Sequence, residues 1–287
     1  MINLTNQGEL SELLSRHGII LSKGLGQNFL INPSVCPRMA EEAIPGEGWG
    51  VLEIGPGAGV LTQQLCLRAE KVVAVELDSR LPPVLAESLA GFENFELISS
   101  DALKMDLEGV IREKFQGLSV AVCANLPYYI TSPLIMKVLS ELPGVKKAVF
   151  MVQLEAAQRI CAPEGSRESG AITVAVRYYS NPELLFRVSR GSFLPPPNVD
   201  SAVISLTRRE TPPVSDEALF FRIVRGGFSQ RRKTLLNSLS SALGVGKDRL
   251  LPVLEEAGLS PQIRPEAMKL EDFLRLTEVA ALRLGKI

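Results

Sequence analysis

From Gly50 onward the chain alternates between two kinds of apolar pattern. Val51-Leu-Glu-Ile54, Lys71-Val-Val-Ala-Val-Glu76, Phe95-Glu-Leu-Ile98, Val120–Ala124 and Lys147-Ala-Val-Phe-Met-Val152 are short, nearly continuous hydrophobic blocks. Blocks of that length read as strands buried on both faces. Between them, Val60–Leu67, Ser79–Leu89 and Leu134–Leu139 carry helical spacing. Strands separated by helices predict right-handed crossovers and a mainly parallel sheet. Two further runs, Ala171–Tyr179 and Ala202–Thr207, are rich in β-branched or aromatic residues. They are expected to extend that sheet as antiparallel strands.

The two ends of the chain read differently. Leu10, Leu13 and Leu14 predict a leading helix that stops at His17-Gly18, and Asn32-Pro33 opens a helix to about Ala43. Ser22–Leu30 between them is a glycine-bearing loop. Beyond the polar linker Arg208-Arg-Glu-Thr-Pro-Pro213 the spacing is helical only, over Leu219–Phe228, Arg232–Leu243, Leu250–Ala257 and Leu270–Leu284. The expected fold is therefore α/β: a Rossmann-like domain over residues 1–210 and a small all-α domain over residues 211–287.

Composition narrows the function classes. The 287 residues are 46% hydrophobic and 22% charged, the profile of a soluble enzyme large enough for two domains. No apolar run reaches the roughly 18–20 residues that span a bilayer, and the first twenty residues lack a signal-peptide pattern. Cytoplasmic location is the expectation. Cys36, Cys66, Cys123 and Cys161 lie far apart without metal-type spacing, as free thiols do in a reducing compartment. His17 is the only histidine, which argues against a Ser/His or Cys/His nucleophilic device and against a His-rich metal site. The formal net charge of −1 leaves nucleic-acid binding to a local patch. Leu219–Lys247 is such a patch: it has no acidic residue but contains Arg222, Arg225, Arg231, Arg232, Lys233 and Lys247.

Candidate chemistry collects where strands end, the side on which open α/β sheets bind ligands. Glu53-Ile-Gly55-Pro-Gly57-Ala-Gly59 lies between the first strand and its helix. It fails the dinucleotide fingerprint Gly-x-Gly-x-x-Gly/Ala, because the last position, counted from Gly55, is Val60. Glu53 would repel a pyrophosphate and favour an ammonium or sulfonium centre. Glu76 ends the second strand, where a carboxylate can accept both hydroxyls of an adenosine ribose. Asp101 follows the third and can accept from an adenine amino group. Any one of these acids could simply cap a helix or face water. Three in succession beside a glycine turn point to an S-adenosylmethionine site in a class I methyltransferase domain.

Asn125-Leu-Pro-Tyr-Tyr129 ends the fourth strand. Its amide can accept from an amino group and its rings can stack on a flat heterocycle, although an ordinary strand-ending turn uses the same residues. Phe193, in Phe193-Leu-Pro-Pro-Pro-Asn-Val199, reads by itself as a packing residue of a proline loop.

These stretches together resemble the ribosomal RNA adenine dimethyltransferases, a family of N6-adenine methyltransferases. The resemblance rests on Asn125-Leu-Pro-Tyr-Tyr129, Gly26-Gln-Asn-Phe-Leu30, Glu53–Gly59, Gln153–Arg159, Phe193–Ala202 and Gly227–Lys233, and so spans nearly the whole chain. Ser229, where Asn is frequent, and Leu154, where a charge is usual, depart from the pattern. The resemblance implies that Asn28, Leu30, Gly55, Gly57, Glu76, Asp101 and Asn125 bind S-adenosylmethionine. It further implies that Tyr128 and Phe193 sandwich the target adenine, with Asn125 at the reacting amine. The implied substrate is a pair of adjacent adenosines near the 3′ end of 16S rRNA, in the 30S subunit or its precursor. A monomeric enzyme is expected. Two alternatives remain at this point: a 23S rRNA adenine N6-methyltransferase of the macrolide-resistance type, and a non-catalytic ribosome-assembly factor with the same fold.

Overall fold

A computed structural model describes residues 2–19, 28–230 and 232–285. The glycine-bearing loop up to Gln27, with its Gly26, lies outside the described residues, as does Arg231. The elements run α1 (Gln7–Arg16), β1 (Phe29–Leu30), α2 (Val35–Ala43), β2 (Trp49–Ile54), α3 (Val60–Cys66), β3 (Lys71–Glu76), α4 (Pro82–Ser88), β4 (Phe95–Ser99), α5 (Leu107–Lys114), β5 (Ser119–Asn125), α6 (Thr131–Glu141), β6 (Val145–Gln153), α7 (Leu154–Ile160), α8 (Ala171–Tyr179), β7 (Ser180–Val188), β8 (Phe193–Leu194), β9 (Ser201–Arg208), α9 (Glu217–Phe228), α10 (Leu235–Leu243), α11 (Lys247–Glu256) and α12 (Leu270–Leu284).

Seven strands form one sheet in the order β4-β3-β2-β5-β6-β9-β7. The five expected strands are all present. β2 pairs in parallel with both β3 and β5, so the strand order reverses there, at the switch point where such sheets bind ligands. β3–β4 and β5–β6 are also parallel. β9 runs antiparallel to β6, with Met151 opposite Val203, as the Ala202–Thr207 pattern predicted. The central strands are buried on both faces: Val51, Leu52, Val72, Val73, Val122 and Cys123 are each 0% exposed. That burial is why these blocks read as continuous apolar runs rather than as alternations. Arg208, at the end of β9, closes the far end of α6. Its guanidinium donates to the carbonyls of Leu139 (2.8 Å) and Leu142 (2.7 Å).

One expected strand is a helix. Ala171–Tyr179 is α8, and β7 begins only at Ser180. Six of the nine residues of α8 are buried, so its polar face is too narrow to mark a helical period. Its start is fixed locally: the Gly170 N–H donates to the Thr173 hydroxyl (2.9 Å), which donates to the Arg159 carbonyl (2.6 Å). Its end is held by rings. Tyr178 lies 4.7 Å from Phe220, and the Tyr179 hydroxyl donates to Glu217 (2.6 Å).

The chain divides into two compact units, 1–157 with 183–208, and 158–182 with 209–287. One of the crossings between them lies at residues 208 and 209. Segment 158–182, which carries α8, was expected in the first domain but groups with the C-terminal helices. Those helices lie where their spacing put them. The Asp216 side chain caps α9 by accepting from the Leu219 N–H (2.8 Å), and Ser229 closes it by donating to the Gly226 carbonyl (2.7 Å). Among the described residues no helix is long and apolar enough to cross a membrane.

Candidate active site

A cavity of about 340 Å³ opens in the first unit at the carboxyl ends of β2, β3 and β5. All nine residues singled out from the sequence line it: Asn28, Leu30, Gly55, Gly57, Glu76, Asp101, Asn125, Tyr128 and Phe193. So does Glu53. Cys36 and Met39 of α2, and Leu126 and Met151, add an apolar wall.

The glycine turn makes one wall. Gly55 and Gly57 have φ of +69° and +60°, a region that side chains other than glycine enter at a cost. The turn is held from β3. Glu76 is 7% exposed; its Oε2 accepts from the Gly57 N–H (3.3 Å) and its Oε1 from the Asp78 N–H (2.8 Å). Burial raises the pKa of Glu76, and those two N–H groups oppose the rise. Each carboxylate oxygen keeps acceptor capacity beyond the bond it makes. Asp101 is tied in the same way, accepting from the Leu103 N–H (3.0 Å) while Oδ2 lies 3.5 Å from Lys104 Nζ.

Glu53 is the most deeply buried acid of the site, at 1% exposure. Its Oε2 has no hydrogen-bond partner among the described residues. Burial pushes its pKa up to about 8; the Thr62 hydroxyl opposes the rise and the Glu76 charge adds to it. A carboxyl group in that setting does not suit a pyrophosphate. Beside two acceptors at β3 and β4, it suits a nucleoside that carries a positive centre. The residues present thus fit S-adenosylmethionine.

A second wall is built by the end of β5 and by a contact distant in sequence. Asn125 pairs with Met151 in the sheet, and the Leu126 N–H donates to the Met151 carbonyl (3.0 Å). Among the described residues, nothing hydrogen-bonds the Asn125 amide. Pro127, with φ −56°, turns the chain into a short 3-10 turn over Tyr128–Ile130. The Pro127 carbonyl already accepts from the Ile130 N–H (3.1 Å) and the Thr131 hydroxyl (3.4 Å). The Tyr128 hydroxyl meets Ser201 Oγ (3.2 Å), whereas Tyr129 is 78% exposed. Phe193 reaches the cavity because β8 pairs antiparallel with β1, setting Phe193 opposite Leu30 and Leu194 opposite Phe29. The Ile31 N–H extends that ladder to the Ser192 carbonyl (2.8 Å). Phe193 is itself 3% exposed.

The model of one family, "Ribosomal RNA adenine dimethylase", matches residues 21–281. The chain belongs to that family. Its members are S-adenosylmethionine-dependent adenine dimethyltransferases, so the chain is an enzyme of that class. The family match extends through both compact units. The chain is 44% identical over 281 residues to the Ribosomal RNA small subunit methyltransferase A of Geobacillus thermodenitrificans (strain NG80-2), covering 96% of each chain. To the protein of the same name from Anoxybacillus flavithermus (strain DSM 21510 / WK1) it is 45% identical over 273 residues, 93% of this chain and 92% of that one. Among solved structures, a dimethyladenosine transferase from Plasmodium falciparum superposes with a TM-score of 0.74 at 29% identity, over 88% of this chain and 98% of that one. The 23S rRNA methyltransferase ErmE superposes with a TM-score of 0.65 at 31% identity, over 88% and 99%.

Proposed function

We propose that this family member transfers methyl groups to N6 of two adjacent adenosines near the 3′ end of 16S rRNA, making N6,N6-dimethyladenosine. The observation that carries the reading is the meeting of Asn125-Leu-Pro-Tyr128 with Glu76 and Asp101 on one cavity. The choice of 16S over 23S rRNA is supported by identity: 44–45% to small subunit methyltransferases A against 31% to ErmE. The Phe193-Leu-Pro-Pro-Pro-Asn-Val199 segment favours the same choice.

In the proposed complex, Glu76 accepts the ribose hydroxyls, Asp101 the adenine amino group, and the Gly55–Gly57 turn lets the backbone approach. Asn28 and Leu30 close the site from the amino-terminal side. S-adenosylmethionine, when bound, supplies an electrophilic methyl group. The chain's task is to make a poor nucleophile attack. The N6 lone pair of adenine is delocalised into the ring, and its N–H is too weakly acidic for a carboxylate to remove. Two acceptors aimed at the N6 hydrogens would instead favour a pyramidal nitrogen. The Asn125 amide oxygen is one. With the Pro127 carbonyl already engaged by two donors, the Leu126 carbonyl is the other. Catalysis is then positioning and electrostatics. Tyr128 and Phe193 would hold the flipped base. Stacking returns roughly 1–3 kcal/mol per base, against a flipping cost of a few kcal/mol.

The helical unit would meet the RNA backbone. Arg225, Arg232, Lys233 and Lys247 are exposed, and phosphate contacts of that kind supply sequence-independent affinity. The acceptor is proposed to be RNA within the 30S subunit or its precursor, the enzyme monomeric and cytoplasmic. The test is to incubate the protein and labelled methyl donor with under-methylated 30S particles and, separately, with protein-free 23S rRNA. Label in dimethyladenosine near the 3′ end of 16S rRNA is expected. Label confined to 23S rRNA would overturn the substrate, and no label in either would favour a non-catalytic assembly role.

A further inference from the structure

Glu53 has a chemistry that the proposed transfer does not use. It sits at the carboxyl end of β2, under the glycine turn, and lines the cavity while being 1% exposed. One of its oxygens, Oε2, is buried with no partner among the described residues. Its titratable surroundings come from four elements and none supplies a positive charge. Cys36 faces it from α2, Cys66 from α3 beside the Thr62 hydroxyl, Glu76 from β3 and Cys123 from β5. The three thiols are pushed up by burial first and by Glu53 second, Cys66 to about 12, so they are neutral at physiological pH. The one cation lining the cavity among the described residues, Arg80, is bonded through Nε to Asp78 (2.8 Å).

We propose that Glu53 is a proton-exchanging counter-ion: a neutral carboxylic acid in the free protein, which gives up its proton when the cationic end of the methyl donor binds. A buried carboxylate without a positive neighbour is the disfavoured state, and a sulfonium or ammonium supplies the neighbour. The step balances simply. The O–H bond of the Glu53 carboxyl breaks, the electron pair stays on oxygen, and the proton leaves to the buffer. Burial, which pushes the Glu53 carboxyl up to about 8 with the Glu76 charge adding to the rise, favours the same neutral free form. Donor binding is then linked to pH through a residue that need not touch the adenine. After transfer, the product keeps its ammonium but loses the sulfonium charge. Any grip of Glu53 on the sulfonium is therefore weakened as the methyl group departs.

This rests on the S-adenosylmethionine reading of the cavity, and the experiment separates the two. Titration calorimetry at pH 6.5, in phosphate and in Tris, counts protons released per S-adenosylmethionine bound. The wild type is expected to release about one proton more than Glu53→Gln, and its dissociation constant to fall about tenfold from pH 6 to pH 7 while that of the variant changes little. Adenosine, with no cationic centre, should bind the wild type without that release. Equal proton counts in wild type and variant, with binding intact, overturn the proposal alone. Absence of binding in the wild type overturns both readings. If the variant binds too weakly for calorimetry, the wild-type difference between S-adenosylmethionine and adenosine decides, and equal release by the two overturns the proposal.

Discussion

Replacing Glu53 by Gln should make the free protein more stable at pH 8 and change its stability by less than about 1 kcal/mol at pH 5. The substitution keeps the side-chain shape and removes the titration. The folded group has a pKa near 8 against an ordinary value of 4.5. Because the folded value is the higher, the native state binds more protons than the unfolded chain between those limits. Stability conferred by the neutral acid is therefore full below about pH 4.5 and is lost as pH rises towards 8. Each tenfold change in proton affinity is worth about 1.4 kcal/mol, so the span corresponds to an upper figure of about 5 kcal/mol. Relaxation around a buried charge reduces this, and an observable on the order of 2–4 kcal/mol is expected. Chemical denaturation without ligand, at pH 5, 6, 7 and 8 and constant ionic strength, measures it for both proteins. The expected result is a gap in unfolding free energy, variant minus wild type, that widens steadily with pH. Parallel pH profiles would show that Glu53 titrates near its ordinary value, and the burial argument would fail.

The other predictions concern single contacts. Asn125→Ala should lower the methylation rate by about 10²–10³-fold, as loss of one aligned polar group does elsewhere, with donor affinity largely kept; unchanged single-turnover rates would refute the acceptor role. Glu76→Ala should weaken S-adenosylmethionine binding at least about tenfold, because charge-assisted hydrogen bonds are worth roughly 1.5–3 kcal/mol each, and calorimetry reporting an unaltered constant would remove the ribose contact. Arg208→Ala should cost about 2–3 kcal/mol of stability by stripping its donors from the end of α6 without altering donor affinity in protein that remains folded. A melting temperature equal to wild type would contradict that last expectation.

Much of the site was legible in the chain because its signals are local. Buried parallel strands are continuous apolar blocks, helices between them have their own period, and ligands bind at strand ends. Glu53, Glu76, Asp101 and Asn125 each lie at or just past the end of such a strand, and all four line one cavity. α8 has the pattern of a strand because burial around most of its surface erases the polar stripe that reveals a helix. α5 and α7 were not among the expected helices, and length is not the reason, since α3 and α4 are as short as α7.

Contacts between segments far apart in the chain were decided only by the tertiary structure. No local feature of Phe193 says that β8 pairs with β1 and brings it opposite Leu30. No motif says that the Pro127 carbonyl is already engaged, which turns attention to Leu126. The protonation of Glu53 belongs to the same class. The sequence determined that an acid precedes the glycine turn. Whether it is charged depends on what surrounds it, and α2, α3, β3 and β5 converge there without a cation. Residue identity and spacing are properties of the chain, whereas desolvation is a property of the packed fold.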